Sequence, residues 1–240
     1  MKIHHSIAQL FGYELLSLRK HHPTLEYHLK TLLENMAIDV VIDVGANKGQ
    51  YGAMLRHMGF KGAIHSFEPV TESFKQLQKI AQNDGNWKVY QCALGEENTE
   101  TSINITSASE FASILDVNDY AKSLYGEKVP VKETELIQVR VLDDIFANDE
   151  LFQSKRVFLK MDTQGYDMSV LKGAPSVTNH VLALQSEISI QPLYEGMPDY
   201  VEALTEFRQK GFELTGLYPV SRDPDSSVLI EMDCVMKRVG

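Results

Sequence analysis

Short apolar runs alternate with amphipathic stretches along most of the chain, beginning near Ile38. Short apolar runs bounded by turn residues are typical of buried strands, and apolar residues repeating every three to four positions are typical of helices. The predicted strands are 38–44, 63–67, 87–91, 136–141, 156–161, 181–188, 212–217 and 228–237. Because strands that alternate with helices form βαβ units, the pattern predicts an α/β fold with a mostly parallel sheet and a closing hairpin.

The amphipathic stretches give the helices and the domain organisation. The predicted helices are 6–19, 24–36, 49–58, 70–83 and 199–209, with a short helix after Asp143. A chain of 240 residues can bury one sizeable core but is short for two domains of usual size. We therefore predict a single domain over 1–240, with a helical cap over 1–36 and the core over 37–240.

The stretch 95–135 interrupts the alternation, since it is polar and rich in serine and threonine. A long excursion in a compact domain is typical of a lid or a binding loop. We expect this region to recognise a substrate, with Ser113 as a candidate contact.

Composition limits the classes of partner. The formal net charge is −10, which argues against nucleic acid, because that affinity comes mainly from Lys and Arg displacing counterions. No apolar run approaches the roughly 20 residues that span a bilayer, and the N-terminal residues lack the pattern of an export signal. The sequence therefore predicts no membrane span and a cytoplasmic protein, and it leaves the oligomeric state open.

Cysteine and histidine positions show neither a disulfide framework nor a metal-binding spacing. Cys92 and Cys234 have no CxxC partner, and we expect both to be buried thiols in a reducing compartment. The histidines at 4–5 and 21–22 are adjacent in predicted helices, where neighbouring side chains point apart.

The strand predicted over 38–44 ends in a glycine turn that a helix follows. The segment reads Val41-Ile42-Asp43-Val44-Gly45-Ala46-Asn47-Lys48-Gly49. Backbone N–H groups at such a turn, with the positive end of the helix, favour a nucleotide-like ligand. Glu68 ends the next strand about 20 residues further on, where an acid usually accepts ribose hydroxyls. The pair predicts a cofactor that contains a ribose.

Two common nucleotide motifs do not match this turn. Asn47 occupies the place of the second glycine in a dinucleotide fingerprint, and no Gly-Lys-Ser/Thr of a phosphate-binding loop follows. The turn suits a nucleoside with an amino-acid tail: Asp43 can face an ammonium, and turn N–H groups can bind a carboxylate.

With several later segments, these residues resemble the FkbM-type S-adenosylmethionine-dependent methyltransferases. The matching segments are Val41 to Asn47 with Gly49, Phe67-Glu68-Pro69, Ala93-Leu94-Gly95, Val141-Leu142-Asp143-Asp144, Leu159-Lys160-Met161-Asp162 through Gly165, and Leu171-Lys172-Gly173-Ala174. The resemblance spans about 32–238. It implies a Rossmann-like class I methyltransferase fold, in which helices cover a seven-stranded sheet with one antiparallel strand near its end.

The resemblance also implies the cofactor and the reaction, which is O-methylation of a hydroxyl on a sugar, glycan or secondary metabolite. The implied S-adenosylmethionine-binding residues are Asp43, Gly45, Asn47 and Gly49 around the methionine moiety, Glu68 at the ribose, Ala93 and Leu94 at the adenine, and the adjacent Ala46 and Pro69. At Gln164 the family usually has Glu, so we predict that Gln164 contacts the substrate and alters the reaction.

Two acids end later strands at the edge where ligands of open α/β sheets bind. Asp162 and Glu187 are the candidate catalytic bases, while Asp167 fits the first turn of the next helix. These three carboxylates are also of the type that binds Mg²⁺ or Ca²⁺, but their spacing does not require a metal, and we predict none.

Two other functions stay open on the residues alone. One is a nicotinamide-dependent oxidoreductase, against which Asn47 argues. The other is a cofactor-binding fold that has lost catalysis and acts as a partner protein, which Gln164 keeps open. Nitrogen methylation is less favoured, because Asp162-Thr163-Gln164-Gly165 stands where such enzymes tend to carry an Asn/Asp-Pro-Pro-aromatic motif.

Overall fold

The structure is a computed structural model that describes residues 7–8, 10–13, 16–17, 21, 24–107, 111–147 and 155–240. Part of the helix predicted over 6–19 lies outside these residues. The helices are Leu25–Asn35 (α1), Gln50–His57 (α2), Thr71–Ala81 (α3), Asp119–Tyr125 (α4), Leu142–Phe146 (α5), Asp167–Lys172 (α6), Pro175–Thr178 (α7) and Tyr200–Gln209 (α8). A 3₁₀ turn, Gly126–Lys128, follows α4.

The strands confirm the predicted alternation. They are Val40–Val44 (β1), Ala63–Phe67 (β2), Trp87–Tyr90 (β3), Ala93–Leu94 (β4), Thr99–Thr106 (β5), Val131–Arg140 (β6), Val157–Met161 (β7), Val181–Ser189 (β8), Phe212–Arg222 (β9) and Leu229–Arg238 (β10). The main sheet has seven strands in the order β3-β2-β1-β7-β8-β10-β9. Only β10 runs antiparallel to its neighbours in this sheet, as expected.

Helices cover both faces of the main sheet. Alternate residues of β1 point to opposite sides, so Ile42 packs in one core cluster and Val41 in the other. The cluster around Val41 includes Leu29 of α1 and Leu55 of α2. The strands between these two layers are fully buried, which explains why they read as continuous apolar runs in the sequence.

The excursion over 95–135 is more ordered than a loop. It contains β5, α4 and the start of β6, and β4, β6 and β5 form a separate three-stranded sheet. Asn118 caps α4, since its side chain accepts a hydrogen bond from the Ala121 backbone N–H. The sequence predicted no strand between residues 92 and 135, so it missed β5 and the first part of β6.

In the described part of the chain, none of the helices has the length and apolar composition that crossing a membrane requires. Cys92 and Cys234 are buried free thiols, as the sequence predicted.

Candidate functional site

Strands β1, β2, β7 and β8 end at one edge of the main sheet, where a cavity of about 670 Å³ opens. Small-molecule sites have volumes of about 300–1,000 Å³. The cavity brings together ten of the predicted site residues: Gly45, Ala46, Asn47, Glu68, Pro69, Ala93, Leu94, Asp162, Gln164 and Glu187. The other three, Asp43, Gly49 and Ser113, lie outside its lining.

The glycine turn after β1 brings two chain segments into close contact. A Cβ atom on Gly45 would lie 1.9 Å from the carbonyl oxygen of Asp162, so no side chain fits there. Gly45 also has a φ of +74°, and Asn47 has a φ of 47°, a region that Asn tolerates better than most residues. The turn therefore joins the end of β1 directly to the end of β7.

Three N–H groups of this turn donate to the end of β2 and to the residue that follows it. The Gly45 and Ala46 N–H groups both donate to the Phe67 carbonyl oxygen at 3.0 Å. The Asn47 N–H donates to Glu68 Oε2 at 2.8 Å. These three N–H groups therefore already have acceptors within the protein, and a ligand carboxylate would be bound by other N–H groups of the turn and the helix.

Glu68 is a buried carboxylate in the cavity wall, with 6% of its surface exposed. Its Oε1 accepts a hydrogen bond from the Val70 N–H at 2.9 Å, and its Oε2 accepts the Asn47 bond. Burial raises the pKa of Glu68 to about 7, against the lowering effect of these two hydrogen bonds. Each carboxylate oxygen retains capacity to accept a further hydrogen bond from a ligand hydroxyl.

Asp43 lies outside the cavity lining, and Lys160 of β7, which does line the cavity, neutralises it. The Lys160 Nζ lies 3.2 Å from Asp43 Oδ1, and their side chains are 6% and 0% exposed. The same ammonium donates to the Gly45 carbonyl oxygen at 3.1 Å and lies 3.4 Å from Asp162 Oδ2. Sequence reasoning did not single out Lys160, although a lysine inside a fully buried strand was a signal.

The environment of Lys160 keeps it charged. Burial lowers its pKa, but the charges of Asp43 and Asp162 outweigh this effect and leave the pKa raised. Lys160 therefore acts as a fixed positive charge that contacts the Gly45 carbonyl oxygen of the glycine turn.

Asp162 and Glu187 lie together at the ends of β7 and β8, with Gln164 bridging them. Gln164 Nε2 donates to Asp162 Oδ1 and to Glu187 Oε2, each at 3.1 Å. Burial raises the pKa of Glu187 well above its usual value, and the charge of Asp162 adds to this effect. Burial therefore favours the protonated form of Glu187.

Two further acids, Glu231 and Asp233, line the same cavity from β10. Asp233 pairs with Glu187 across the antiparallel strands. Burial raises the pKa of Asp233 to about 6, and burial also raises the pKa of Glu231. Sequence reasoning missed both residues, because only the register of β10 against β8 places them here.

Ser113 is buried, with 1% of its surface exposed, and supports the loop that carries Gln164. Its hydroxyl donates to the Gln164 carbonyl oxygen at 2.8 Å and accepts from the Leu115 N–H at 3.0 Å. Other residues of the excursion reach the cavity wall: Phe111, Ala112, Ile114, Tyr125 and Lys128. The excursion thus contributes to the cavity mainly through apolar side chains.

Asp167 begins α6 and accepts a hydrogen bond from the Thr163 N–H at 3.0 Å, which confirms its placement in the first turn. Among the described residues, no group of three or more His, Cys, Asp or Glu side chains is arranged to hold a metal ion.

Because burial raises the pKa of several carboxyl groups, we predict that the ligand-free protein loses stability as pH rises from about 5.5 to about 8. For a group whose pKa is raised on folding, the stabilisation is complete below the unfolded pKa and is lost as pH rises through the folded pKa. Glu68 alone, shifted from 4.5 to about 7, accounts for about 2 kcal/mol over this window. Glu187 and Asp233 act in the same direction.

Thermal unfolding at these two pH values and equal ionic strength measures this effect. The melting temperature should be lower at the higher pH, and Glu68→Gln should reduce the difference. A melting temperature that rises with pH across this range would contradict the assignment of buried, proton-holding carboxyls.

Comparisons with known proteins place this geometry in context. No curated protein matches the chain in sequence. A magnesium protoporphyrin IX methyltransferase from Synechocystis, solved with bound S-adenosylmethionine, is similar at 9% identity and a TM-score of 0.48, over 97% of this chain and 89% of that chain. An S-adenosylmethionine-dependent methyltransferase from Aquifex aeolicus is similar at 11% identity and a TM-score of 0.42, over 88% and 89%.

An rRNA methylase from Streptococcus thermophilus is also similar, at 10% identity and a TM-score of 0.44, over 89% of this chain and 96% of that chain. The sequence pattern of the methyltransferase FkbM domain matches residues 43–214, which is most of the chain and includes the glycine turn, Glu68, Asp162 and Glu187. The chain therefore belongs to the FkbM methyltransferase family, and S-adenosylmethionine is its cofactor.

Proposed function

We propose that the protein transfers a methyl group from S-adenosylmethionine to a hydroxyl group of a sugar, glycan or secondary metabolite. One observation carries this proposal: a single cavity joins the wall around Glu68 to the pair formed by Asp162 and Glu187. A donor and an acceptor bound in this cavity would meet at the carboxyl edge of the sheet, where ligands of open α/β folds bind.

The residues of the donor half fit S-adenosylmethionine. Glu68 offers a buried carboxylate to the ribose hydroxyls, and Ala93 and Leu94 offer an apolar wall to the adenine. Ala46 and Asn47 lie between Glu68 and Asp162, where the methionine moiety would fit, with Pro69 beside Glu68. When bound, the cofactor supplies a methyl group already activated by a positively charged sulfur.

The protein's own contribution is orientation and proton removal. Holding an acceptor oxygen in line with the methyl group replaces a random encounter by a defined geometry. An alcohol attacks poorly while protonated, so a carboxylate within hydrogen-bond reach would accelerate transfer by about 10²–10⁴. Asp162 and Glu187 are the proposed catalytic residues. Gln164 would contact the acceptor from the cavity wall, and Ser113 would act by holding the Gln164 carbonyl.

A small hydroxylated acceptor suits the charge of the cavity better than a nucleic acid does. Acidic side chains line this half of the cavity, and the chain has a formal net charge of −10, which disfavours a phosphate-rich acceptor. We therefore place nucleic acid outside the acceptor class, and we keep the nicotinamide-dependent oxidoreductase and the non-catalytic partner as the alternatives to be tested.

The test is incubation with S-adenosylmethionine labelled on the methyl group and fractionated extract of the source cell, followed by mass spectrometry. We expect the label in a low-mass or glycan fraction, as a methyl ether. Label in RNA would overturn the acceptor class. Tight donor binding without transfer to any fraction or to a broad panel of hydroxyl compounds would favour the non-catalytic partner.

A further inference from the structure

The side-chain amide of Gln164 lies between the two proposed catalytic carboxyls. Its nitrogen donates to both Asp162 Oδ1 and Glu187 Oε2 at 3.1 Å. An amide nitrogen carries two hydrogens, so both bonds form at the same time. The amide therefore sets how far apart the two carboxyl groups lie and how they face each other, without adding a charge between them.

Tyr194 fixes the orientation of this amide. Its hydroxyl donates to Gln164 Oε1 at 2.8 Å, and the residue is only 2% exposed. Burial raises the pKa of Tyr194, and the charges of Glu231 and Glu187 add to this effect, so the hydroxyl stays protonated as a donor. If the amide rotated by 180°, its oxygen would face the two carboxyl groups. Its N–H groups would then no longer donate to them.

A residue of the excursion, Ser113, also fixes the backbone at Gln164. Gln164 has a φ of 53°, and Ser113 donates to its carbonyl oxygen at 2.8 Å. The loop before Tyr194 is bound to the start of α4, because the Asn118 N–H donates to the Leu193 carbonyl oxygen at 3.0 Å. Tyr194 thus lies where the excursion, the β8 end and the carboxyl pair meet.

We propose that Tyr194 and Gln164 are positioning residues for the methyl transfer, which hold the carboxyl groups of Asp162 and Glu187 in a fixed arrangement. This inference rests on the proposed function. Asp162 takes the acceptor proton as the new oxygen–carbon bond forms. The carbon–sulfur bond breaks in the same step, and its electron pair stays on the sulfur.

Other groups around Glu187 set the background for this pair. The charged and titratable groups that face it are Asp162 at the end of β7, Glu231 and Asp233 on β10, and the hydroxyls of Tyr125 and Tyr194. Lys160 contacts one member of the pair, since its Nζ lies 3.4 Å from Asp162 Oδ2. Glu231, Asp233 and Tyr125 lie on other elements, so a change confined to Gln164 or to Tyr194 leaves these background groups in place.

The experiment is a titration of the Glu187 carboxyl by ¹³C NMR, in protein labelled at glutamate and assigned with Glu187→Gln. Tyr194→Phe should raise the midpoint by up to about one pH unit, because a carboxylate loses a hydrogen-bond donor that stabilises its ionised form. Gln164→Met should raise it at least as far. The double variant should match Gln164→Met alone, since Tyr194 acts through the amide.

Tyr218→Phe is the matched control, because it also removes a tyrosine hydroxyl. This hydroxyl lies 2.9 Å from His28 Nδ1, so its removal should leave the Glu187 midpoint unchanged. A wild-type midpoint in folded Tyr194→Phe, or additive shifts in the double variant, would overturn the inference. If Tyr194→Phe does not fold, a wild-type midpoint in Gln164→Met overturns it. The titration needs neither donor nor acceptor, so a failure of methyl transfer is a separate outcome that counts against the proposed function.

Discussion

Replacing Lys160 with methionine should lower the free energy of unfolding by about 3–5 kcal/mol, because it leaves the buried Asp43 carboxylate without its countercharge. The Lys160 Nζ is 3.2 Å from Asp43 Oδ1, and both side chains are almost fully removed from solvent. The same change also removes the donor to the Gly45 carbonyl oxygen, which joins the glycine turn to β7. Urea denaturation, with the unfolding midpoint and slope fitted together, measures the loss.

Lys172→Met is the matched control for this prediction. Its Nζ also pairs with a carboxylate, that of Glu96 at 3.0 Å, but the two side chains are 62% and 48% exposed. Exposed pairs contribute little to stability, so this variant should unfold close to the wild type. A second variant, Lys160→Met with Asp43→Asn, should recover part of the loss because it removes the unpaired charge. Equal midpoints for Lys160→Met and Lys172→Met would contradict the account of the buried pair.

Replacing Asp162 with asparagine should reduce methyl transfer by about 10²–10⁴ while the protein stays folded and binds the donor. The amide keeps the shape of the side chain but cannot accept the acceptor proton. The rate is measured as labelled methyl entering the acceptor fraction, and donor affinity is measured on the same preparation by calorimetry. A slow variant with normal donor affinity separates a catalytic role from a binding role.

Asp225→Asn is the control for this change, because Asp225 lies exposed on the turn between β9 and β10 and should be neutral. Glu187→Gln is expected to be slower than the wild type as well, since the pair would lose one of its two carboxyl groups. Near-normal transfer by both Asp162→Asn and Glu187→Gln, with donor affinity unchanged, would show that the base lies elsewhere or is not needed.

The main sheet could be predicted from the sequence because its strands are buried on both sides. Val157–Met161 has every residue buried, so it appears as an apolar run between polar segments. The second sheet was not predictable in the same way. Most residues of Val131–Arg140 are exposed, and Thr99–Thr106 is rich in threonine, so neither strand gives a strong two-residue alternation.

The proposed donor half of the site could be predicted because its residues are local in sequence. The glycine turn and Glu68 each follow directly from a strand that the apolar pattern identifies. The acceptor half depends on contacts between distant segments. Asp233 reaches Glu187 through antiparallel pairing, and Lys160 meets Asp43 through the parallel pairing of β1 with β7. Spacing along one strand carries no information about such partners.

Calorimetric titration with S-adenosylmethionine tests the central claim most directly, namely that the cavity wall at Glu68 holds the ribose of the donor. Glu68→Gln should weaken binding by about 10–100-fold, because charged hydrogen bonds to the ribose are lost. Glu72→Gln is the matched control on the exposed side of α3 and should bind as the wild type does. The account predicts binding of S-adenosylmethionine and none of NAD. Equal affinity of Glu68→Gln and wild type for S-adenosylmethionine, or tighter binding of NAD, would contradict it.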